Sequence, residues 1–157
     1  MTVFKQNLPS STNEYPLVSF CAPQARVLIV DDIDLNLEIA EGLLAPYNMQ
    51  IDLCRSGAEA ISAVKANRYD LVLMDHMMPE MDGIDATRRI RGLDGDYYKN
   101  LPIAAFTANA ISGMKEMYLG NGFNDFISKP VDVVKLDEIL GRWIPEGKKM
   151  AADVAGE

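Results

Sequence analysis

The sequence predicts an α/β domain built around a parallel sheet, and two observations indicate it. Short apolar runs alternate with segments in which apolar residues recur at helical spacing. The strongest runs are apolar throughout, which is typical of strands buried on both faces by helices. Two of these runs end in acid: VLIV leads into Asp31 and Asp32, and LVLM leads into Asp75. Ligands of such sheets bind beyond the carboxyl ends of the strands, so a site is expected there.

The composition is that of one globular domain: the chain has 157 residues, of which 48% are hydrophobic and 24% charged. A net charge of −8 argues against general nucleic-acid binding, which needs a positively charged surface. Cys21 and Cys54 lack the spacing of a zinc site and indicate a reducing compartment. No apolar stretch approaches the ~18–20 residues that span a bilayer. We therefore expect a cytoplasmic domain that contacts neither nucleic acid nor membrane.

We expect one domain over 26–145, between an N-terminal tail or linker over 1–25 and a C-terminal tail over 146–157. The first segment is polar and without a hydrophobic period, and the last carries no structure signal. Five strands are predicted within the domain, of which the second and fifth are weaker apolar runs and so more exposed. The segment 92–102, GLDGDYYKNLP, is predicted to be a long polar loop. The predicted strands are 27–30, 49–53, 71–74, 103–106 and 123–127.

Helices are predicted between the strands, which implies right-handed crossovers and a parallel sheet. In the first helix, apolar residues recur at helical spacing over 37–44. Asp34 is a candidate N-cap for its start near Leu35. The second opens with Ser56 and Glu59 at the spacing of a capping box. Further helices are predicted over 84–92, 111–119 and 132–143.

The acids at the strand ends are the first candidates for chemistry. Asp75 precedes a turn signalled by a proline and an Asp-Gly pair, and it can accept a phosphoryl group or cap that turn. Side by side, Asp31 and Asp32 repel each other by roughly 4 kcal/mol at about 4 Å and an effective dielectric near 20. Since Asp34 can be the N-cap of the helix, neither Asp31 nor Asp32 is needed for that purpose, and the pair is left without a structural role. Mg²⁺ prefers oxygen ligands, so these three strand-end acids predict a magnesium site.

Two further polar residues follow predicted strands. Thr107 comes after the fourth strand and can donate to a phosphate oxygen, or it can satisfy local backbone groups. Lys129 comes after the fifth strand and can neutralise the acids and hold a phosphate, or it can be a solvated surface residue. Their placement at successive strand ends favours a shared site.

Four sequence blocks together resemble the receiver domain of two-component response regulators. The resemblance covers about 26–145, and it implies a flavodoxin-like fold with strand order 2-1-3-4-5. Residues 100–130 and 136–145 look like receivers of hybrid histidine kinases, and residues 20–32 look like the kinase-to-receiver junction of those proteins. The four blocks are VLIVDD (27–32), LVLMDHMMPEMDG (71–83), IAAFTANA (103–110) and DFISKP (125–130).

The resemblance implies a role for each acid. Asp75 becomes the phosphoacceptor. Mg²⁺ becomes the cofactor, with Asp32, Asp75 and the main-chain carbonyl of Met77 as direct ligands and Asp31 acting through water. Many relatives carry Asn after the acidic pair, where this chain has Ile33, and we expect that difference to alter the local surface only.

The resemblance also implies a switch. Thr107 becomes the switch hydroxyl and Lys129 the phosphate-binding lysine, with a cis bond to Pro130. Phe126 occupies the position of the aromatic switch residue, although a phenylalanine offers no hydroxyl. His76, the only histidine, is expected to be structural, because alternation points its side chain away from the acceptor.

The function that the resemblance implies is phosphoryl transfer from the phosphohistidine of a histidine kinase or phosphotransfer domain. The domain would then signal to a downstream protein through the 111–119 helix and the last helix. It is expected to be a signalling domain, not an enzyme, and its parent chain can be a membrane-anchored hybrid kinase. Two alternatives stay open: a phosphorylation-independent interaction module, and a phosphatase with an aspartate nucleophile. Phosphatases of that kind have a second Asp two residues after the first, and this chain has Met77 at that position.

Overall fold

A computed structural model of the chain describes residues 18–108 and 114–151. The strands are β1 (Phe20–Cys21), β2 (Arg26–Val30), β3 (Gln50–Cys54), β4 (Leu71–Asp75), β5 (Ile103–Thr107), β6 (Asp125–Ser128) and β7 (Met150–Ala151). Strands β2 to β6 form one parallel sheet in the order β3–β2–β4–β5–β6. Counted along that sheet's own strands, this is the order 2-1-3-4-5, so the predicted fold and topology are confirmed.

Helices connect the parallel strands and cover both faces of the sheet. They are α1 (Asp34–Leu44), α2 (Gly57–Ala66), α3 (Gly83–Arg91), α4 (Asp96–Asn100), α5 (Met114–Gly120) and α6 (Val133–Trp143). The predicted 111–119 helix is seen from Met114 onward, since 109–113 lie outside the described residues. None of the helices in the described parts of the chain is both long enough and apolar enough to cross a bilayer.

The core has two layers, one on each face of the sheet. Along β2, Val27 and Ile29 face the first layer and Leu28 and Val30 face the second, as strand alternation requires. Helices α1 and α6 close the first layer, and α2, α3 and α5 close the second. Strands β4 and β5 are buried along their whole length, whereas β3 and β6 lie at the edges and are partly exposed. The predicted contrast between strong and weak apolar runs is therefore confirmed.

The two ends of the described chain are more ordered than predicted. Strands β1 and β7 pair antiparallel, and we call them the terminal ribbon. Phe20 is buried, and the centre of its ring lies 5.2 Å from the centre of the Tyr47 ring. Asp137 of α6 accepts hydrogen bonds from the Tyr47 hydroxyl at 2.7 Å and the Ser19 backbone N–H at 3.2 Å. Packed structure thus extends beyond 26–145, and it was missed because two-residue strands are too short to show alternation.

The predicted polar loop over 92–102 contains the short helix α4. Its Tyr97 packs against the second core layer, and its hydroxyl accepts a hydrogen bond from the backbone N–H of Tyr69 at 2.7 Å. The guanidinium of Arg68 lies 4.6 Å from the centre of the Tyr97 ring. The prediction was wrong because these tyrosines bury apolar rings within an otherwise polar segment.

The helix starts confirm one predicted cap and correct another. Ser56 accepts a hydrogen bond from the Glu59 backbone N–H at 3.1 Å, as the capping box predicts. The Glu59 carboxylate reaches back to the backbone N–H of Arg55, one residue before the expected partner. Asp34 is not the N-cap of α1: that position is Ile33, without a side-chain bond, and Asp34 pairs with Arg55 at 2.6 Å instead.

Candidate functional site

The predicted polar residues come together at the carboxyl edge of the sheet. Asp31 follows β2, Asp75 ends β4, Thr107 ends β5, and Lys129 follows β6. The backbone N–H of Lys129 donates to the Thr107 carbonyl at 2.7 Å, which brings the two segments side by side. Thr107 is 1% exposed. The predicted cis bond between Lys129 and Pro130 is present.

Lys129 bridges the two buried carboxylates. Its Nζ donates to Asp31 Oδ2 at 2.8 Å and to Asp75 Oδ1 at 3.1 Å. Burial alone would lower the lysine pKa, but the hydrogen bonds and charges of the two aspartates outweigh it and raise that pKa above its ordinary value. The ammonium also lies 5.7 Å from the centre of the Phe106 ring. Lys129 is therefore a positioned cation of the site, which excludes the alternative of a solvated surface residue.

Asp75 occupies a largely desolvated position. It is 6% exposed, and burial is the main cause that raises its pKa from 3.8 to about 6. The Lys129 charge opposes this shift, while the charges of Asp31 and Asp32 add to it. Its backbone carbonyl is covered by Gly83, where a Cβ atom would stand 2.1 Å from the Asp75 oxygen. Only glycine fits that close approach.

The three strand-end acids have the geometry of a cation site. Oxygen atoms from Asp31, Asp32 and Asp75 all lie within 4.8 Å of one another. Among the described residues, the buried Oδ1 of Asp32 has no hydrogen-bond partner. An unpartnered buried carboxylate oxygen is costly, and a hard divalent cation would satisfy it. The residues present therefore fit Mg²⁺.

Asp31 also has a structural role, which its place at the end of a strand does not predict. Its Oδ1 accepts a hydrogen bond from the backbone N–H of Ile33 at 3.0 Å, and the Asn36 amide lies at 3.4 Å. The other oxygen is taken by Lys129. The carboxylate thus fixes the turn into α1 while it faces the site, which corrects the inference that the acidic pair lacks a structural role.

The surface beside the site is apolar and exposed. Ile33, Ile39 and Met77 are 52%, 52% and 68% exposed, and we call them the apolar rim. Of these, Ile39 lines a cavity of about 410 Å³ that also has Asp31 and Lys129 in its wall. The Met77 side chain points into solvent, and the role of its main-chain carbonyl stays a prediction.

An aromatic group lies behind the acceptor, on the second core layer. Phe126 is half-buried and stacks on Tyr118 with ring centres 5.9 Å apart. Tyr118 is fully buried and belongs to the core, whereas Leu119 on the same helix is 44% exposed. His76 Nδ1 lies 2.9 Å from the Tyr118 hydroxyl.

The His76–Tyr118 contact was missed by the sequence analysis. The expected outward direction of His76 is consistent with it, but the partner lies 42 residues away on another element. Its chemical basis is general: the hydroxyl of a buried tyrosine needs a hydrogen-bond partner, and Tyr118 is fully buried.

Residues 27–141 match the family described as the response regulator receiver domain. Over 119 residues the chain is 39% identical to the signal transduction histidine-protein kinase BarA of Escherichia coli strain K12. That similarity covers 76% of this chain but 13% of BarA, so the chain spans a small part of this relative's length.

Two solved structures extend the similarity to three dimensions. One is the receiver domain of the sensor histidine kinase PA1611 from Pseudomonas aeruginosa PAO1, which has a magnesium ion coordinated in its active site cleft. It is 37% identical with a TM-score of 0.69, and the match covers 76% of this chain and 97% of that one. The other is a co-crystal of the Saccharomyces cerevisiae phosphotransfer protein Ypd1 with the receiver domain of Ssk1. Its matching chain is 28% identical with a TM-score of 0.71, and the match covers 81% of this chain and 93% of that one.

Proposed function

Because the chain belongs to the response regulator receiver domain family, we propose that it is a phosphoacceptor of a two-component phosphorelay. The proposal depends above all on one observation: Asp31, Asp32 and Asp75 converge at one edge of the sheet, with Lys129 bridging two of them. This arrangement suits a reaction in which positioning and charge neutralisation do most of the work.

In the proposed reaction, Asp75 is the nucleophile. A phosphoryl group passes from a phosphohistidine of the partner to a carboxylate oxygen of Asp75. The phosphorus–nitrogen bond breaks as the phosphorus–oxygen bond forms, and the histidine nitrogen keeps the electron pair. Attack by water on the resulting aspartyl phosphate returns Asp75 to its carboxylate form and releases phosphate.

We assign the acids to a Mg²⁺ ion, which when bound would neutralise the carboxylate and phosphoryl oxygens. Asp32, Asp75 and the main-chain carbonyl of Met77 would hold the ion directly, and Asp31 would hold it through water. Two observations support this assignment: Asp32 has a buried oxygen without a hydrogen bond among the described residues, and a carboxylate oxygen of each acid lies within 4.8 Å of the others. The magnesium in the PA1611 receiver supports the choice of metal.

Two residues would register the phosphoryl group. Lys129 would bind one of its oxygens as a point charge, and the Thr107 hydroxyl would donate to another. Phosphorylation adds charge and acceptor oxygens beside both, which biases a two-state equilibrium of the domain. Phe126 would follow that change by packing, since it cannot donate a hydrogen bond.

The expected partners act at two surfaces. A phosphohistidine donor must reach a nearly buried carboxylate, so it would cover the apolar rim beside the site. The co-crystal of Ypd1 with the Ssk1 receiver makes a phosphotransfer protein a reasonable donor. A downstream protein would contact α5 and α6, where Leu119 and Val134 are exposed.

We expect the chain to work in the cytoplasm as a signalling domain whose only chemistry is its own phosphorylation and dephosphorylation. Its similarity to BarA favours a hybrid histidine kinase as the type of parent protein. Nucleic acid and membrane are not expected to contact this domain, given a net charge of −8.

The test is labelling of the full chain by acetyl phosphate, followed by intact mass. We expect one phosphoryl group to be added with Mg²⁺ and none with a chelator. Asp75→Asn should abolish the labelling, while Asp94→Asn, a change at an exposed aspartate outside the site, should retain it.

The labelling experiment and an assay with an added phosphomonoester together separate the alternatives. A phosphorylation-independent interaction module would not be labelled under any condition. A phosphatase would release phosphate continuously from an added phosphomonoester, with Asp75→Asn inactive. Either result would contradict the proposal.

A further inference from the structure

Both backbone groups of His76 are held by hydrogen bonds, and we call Asp75 and His76 together the acceptor segment. His76 follows Asp75 directly, and its N–H donates to the Phe106 carbonyl at 3.3 Å. Its own carbonyl accepts from the N–H of Gly83 at 2.8 Å. Because His76 is bonded directly to Asp75 and both residues adjoin Gly83, a displacement of the Asp75 backbone would also move the backbone of His76.

The ring of His76 reaches the helix α5 across the second core layer. Its Nδ1 and the Tyr118 hydroxyl share a hydrogen bond of 2.9 Å, and the two rings meet edge to face with centres 5.4 Å apart. Tyr118 is fully buried, and within the described part of the chain His76 is the hydrogen-bond partner of its hydroxyl. Breaking this bond would leave a buried polar group unpaired, so the two residues are held together.

Tyr118 in turn contacts the strand that leads to Lys129. It stacks on Phe126 of β6 at an interplanar angle of 26°, and it meets Phe123 edge to face. Phe126 has no hydroxyl, so it contributes apolar contact alone. The hydrogen bond that joins this aromatic group to the acceptor segment is therefore the one between Tyr118 and His76.

We propose that His76 is a positioning residue that couples the state of Asp75 to the position of α5 through its hydrogen bond with Tyr118. This inference rests on the proposed function and adds the internal route by which α5 would respond. A hydrogen bond of ordinary net strength can bias such an equilibrium by roughly fivefold. The coupling needs no change in the chemistry at Asp75.

The test uses the full chain with Mg²⁺ and beryllofluoride, a mimic of the phosphoryl group. The readout is the change in amide chemical shifts of residues 114–120, measured by NMR. In the parent we expect clear shifts in α5. In Tyr118→Phe and His76→Leu we expect these shifts to fall by at least about twofold, while labelling of Asp75 by acetyl phosphate persists.

Two variants make the result specific. His76→Asn keeps a polar atom near the Nδ1 position and should recover most of the α5 response. Tyr47→Phe removes another buried, hydrogen-bonded tyrosine hydroxyl, on the opposite face of the sheet, and should leave the response unchanged.

The outcomes distinguish this inference from the proposed function. If the parent is labelled and responds, but Tyr118→Phe and His76→Leu respond as fully as the parent, His76 is only a packing residue. An equal loss in Tyr47→Phe would mean a general loss of stability and would also overturn the inference. Failure of the parent to be labelled at all would instead contradict the proposed function.

Discussion

Gly83 shows how closely the backbone is packed around the acceptor. A Cβ atom there would overlap the Asp75 carbonyl at 2.1 Å, and it would also crowd the Met74 side chain. Since the nearest obstacle is backbone, no rotation of a side chain can relieve the overlap.

We predict that Gly83→Ala lowers the free energy of unfolding by at least about 2 kcal/mol, in the range typical of overpacked sites. Gly141→Ala is the matched control, because that helical glycine has no atom within 4 Å of its added Cβ. The control should raise stability by up to about 1 kcal/mol. Urea unfolding measures both, and equal effects of the two substitutions would contradict the geometry.

Asp32 is the acid whose removal should have opposite effects on stability and on metal binding. Three carboxylates lie within 4.8 Å, and one lysine bridges two of them. In the absence of Mg²⁺, Asp32→Asn should therefore raise the free energy of unfolding by about 1–2 kcal/mol, since it relieves repulsion.

The same variant should bind Mg²⁺ at least about tenfold more weakly by titration calorimetry, because a carboxylate ligand is lost. Asp94→Asn should change neither quantity. Unaltered Mg²⁺ affinity in Asp32→Asn would remove Asp32 from the metal site.

For single residues, the sequence predicted the placement of those whose position depends on strand order alone. Asp31, Asp75, Thr107 and Lys129 could be placed together because strand ends of a parallel sheet share one edge. The contact between His76 and Tyr118 could not be predicted in this way. It depends on how α5 is rotated and how deeply it packs, and neither is encoded in spacing.

Arg91 connects several elements through one partly buried guanidinium. Its Nε and Nη2 donate to the Gly122 carbonyl at 2.9 and 2.7 Å, and Nη2 also donates to Asn124 at 2.8 Å. Its Nη1 donates to the carbonyls of Tyr98 and Leu101 at 2.8 and 2.7 Å. The end of α3, the helix α4 and the turn after α5 are thus held by a planar fork of donors.

We predict that Arg91→Lys lowers the free energy of unfolding by about 2–3 kcal/mol. A lysine has three donors and no fork, so it would leave buried carbonyls unpaired. Arg89→Lys, on the exposed face of the same helix, should change stability by less than about 0.5 kcal/mol. Guanidinium unfolding measures the two, and a similar small effect for both would show that Arg91 is not a structural hub.

Among the elements, the five parallel strands were predictable because each is a run long enough to show its burial. The helix α4 and the terminal ribbon were not, for different reasons. In α4, two aromatic rings outweigh polar neighbours, and in the ribbon the pairing joins residues about 130 positions apart. Local pattern carries neither kind of information.

The molecule as a whole should lose stability in alkali. Burial, followed by the charges of Glu59 and Asp52, raises the pKa of Cys54 from 9.0 to about 11. Burial also raises the pKa values of Tyr47 and Tyr69 above their ordinary range, and each hydroxyl donates to an aspartate. All three groups keep their protons in the folded state at pH values where the unfolded chain has lost them.

The free energy of unfolding should therefore fall as the pH rises from about 9 to about 11, with a Cys54 contribution on the order of 1–2 kcal/mol. Cys54→Ala should flatten this part of the pH profile, although its cavity lowers stability at every pH. Val64→Ala is the control, since it makes a cavity without removing a titrating group. Urea unfolding from pH 8 to 11 gives the slopes, and identical slopes for both variants would exclude the Cys54 contribution.

The terminal ribbon determines how the domain would respond to mechanical force. Its strands run antiparallel with Phe20 opposite Ala151, so the first residue of one strand lies beside the last residue of the other. Tension applied to the two ends would break the hydrogen bonds between these strands one after another, starting at the Phe20–Ala151 pair. Together with the bond from Ser19 to Asp137 of α6, the ribbon would take the load first, and the five-stranded sheet and the acidic site would be loaded only after both had opened.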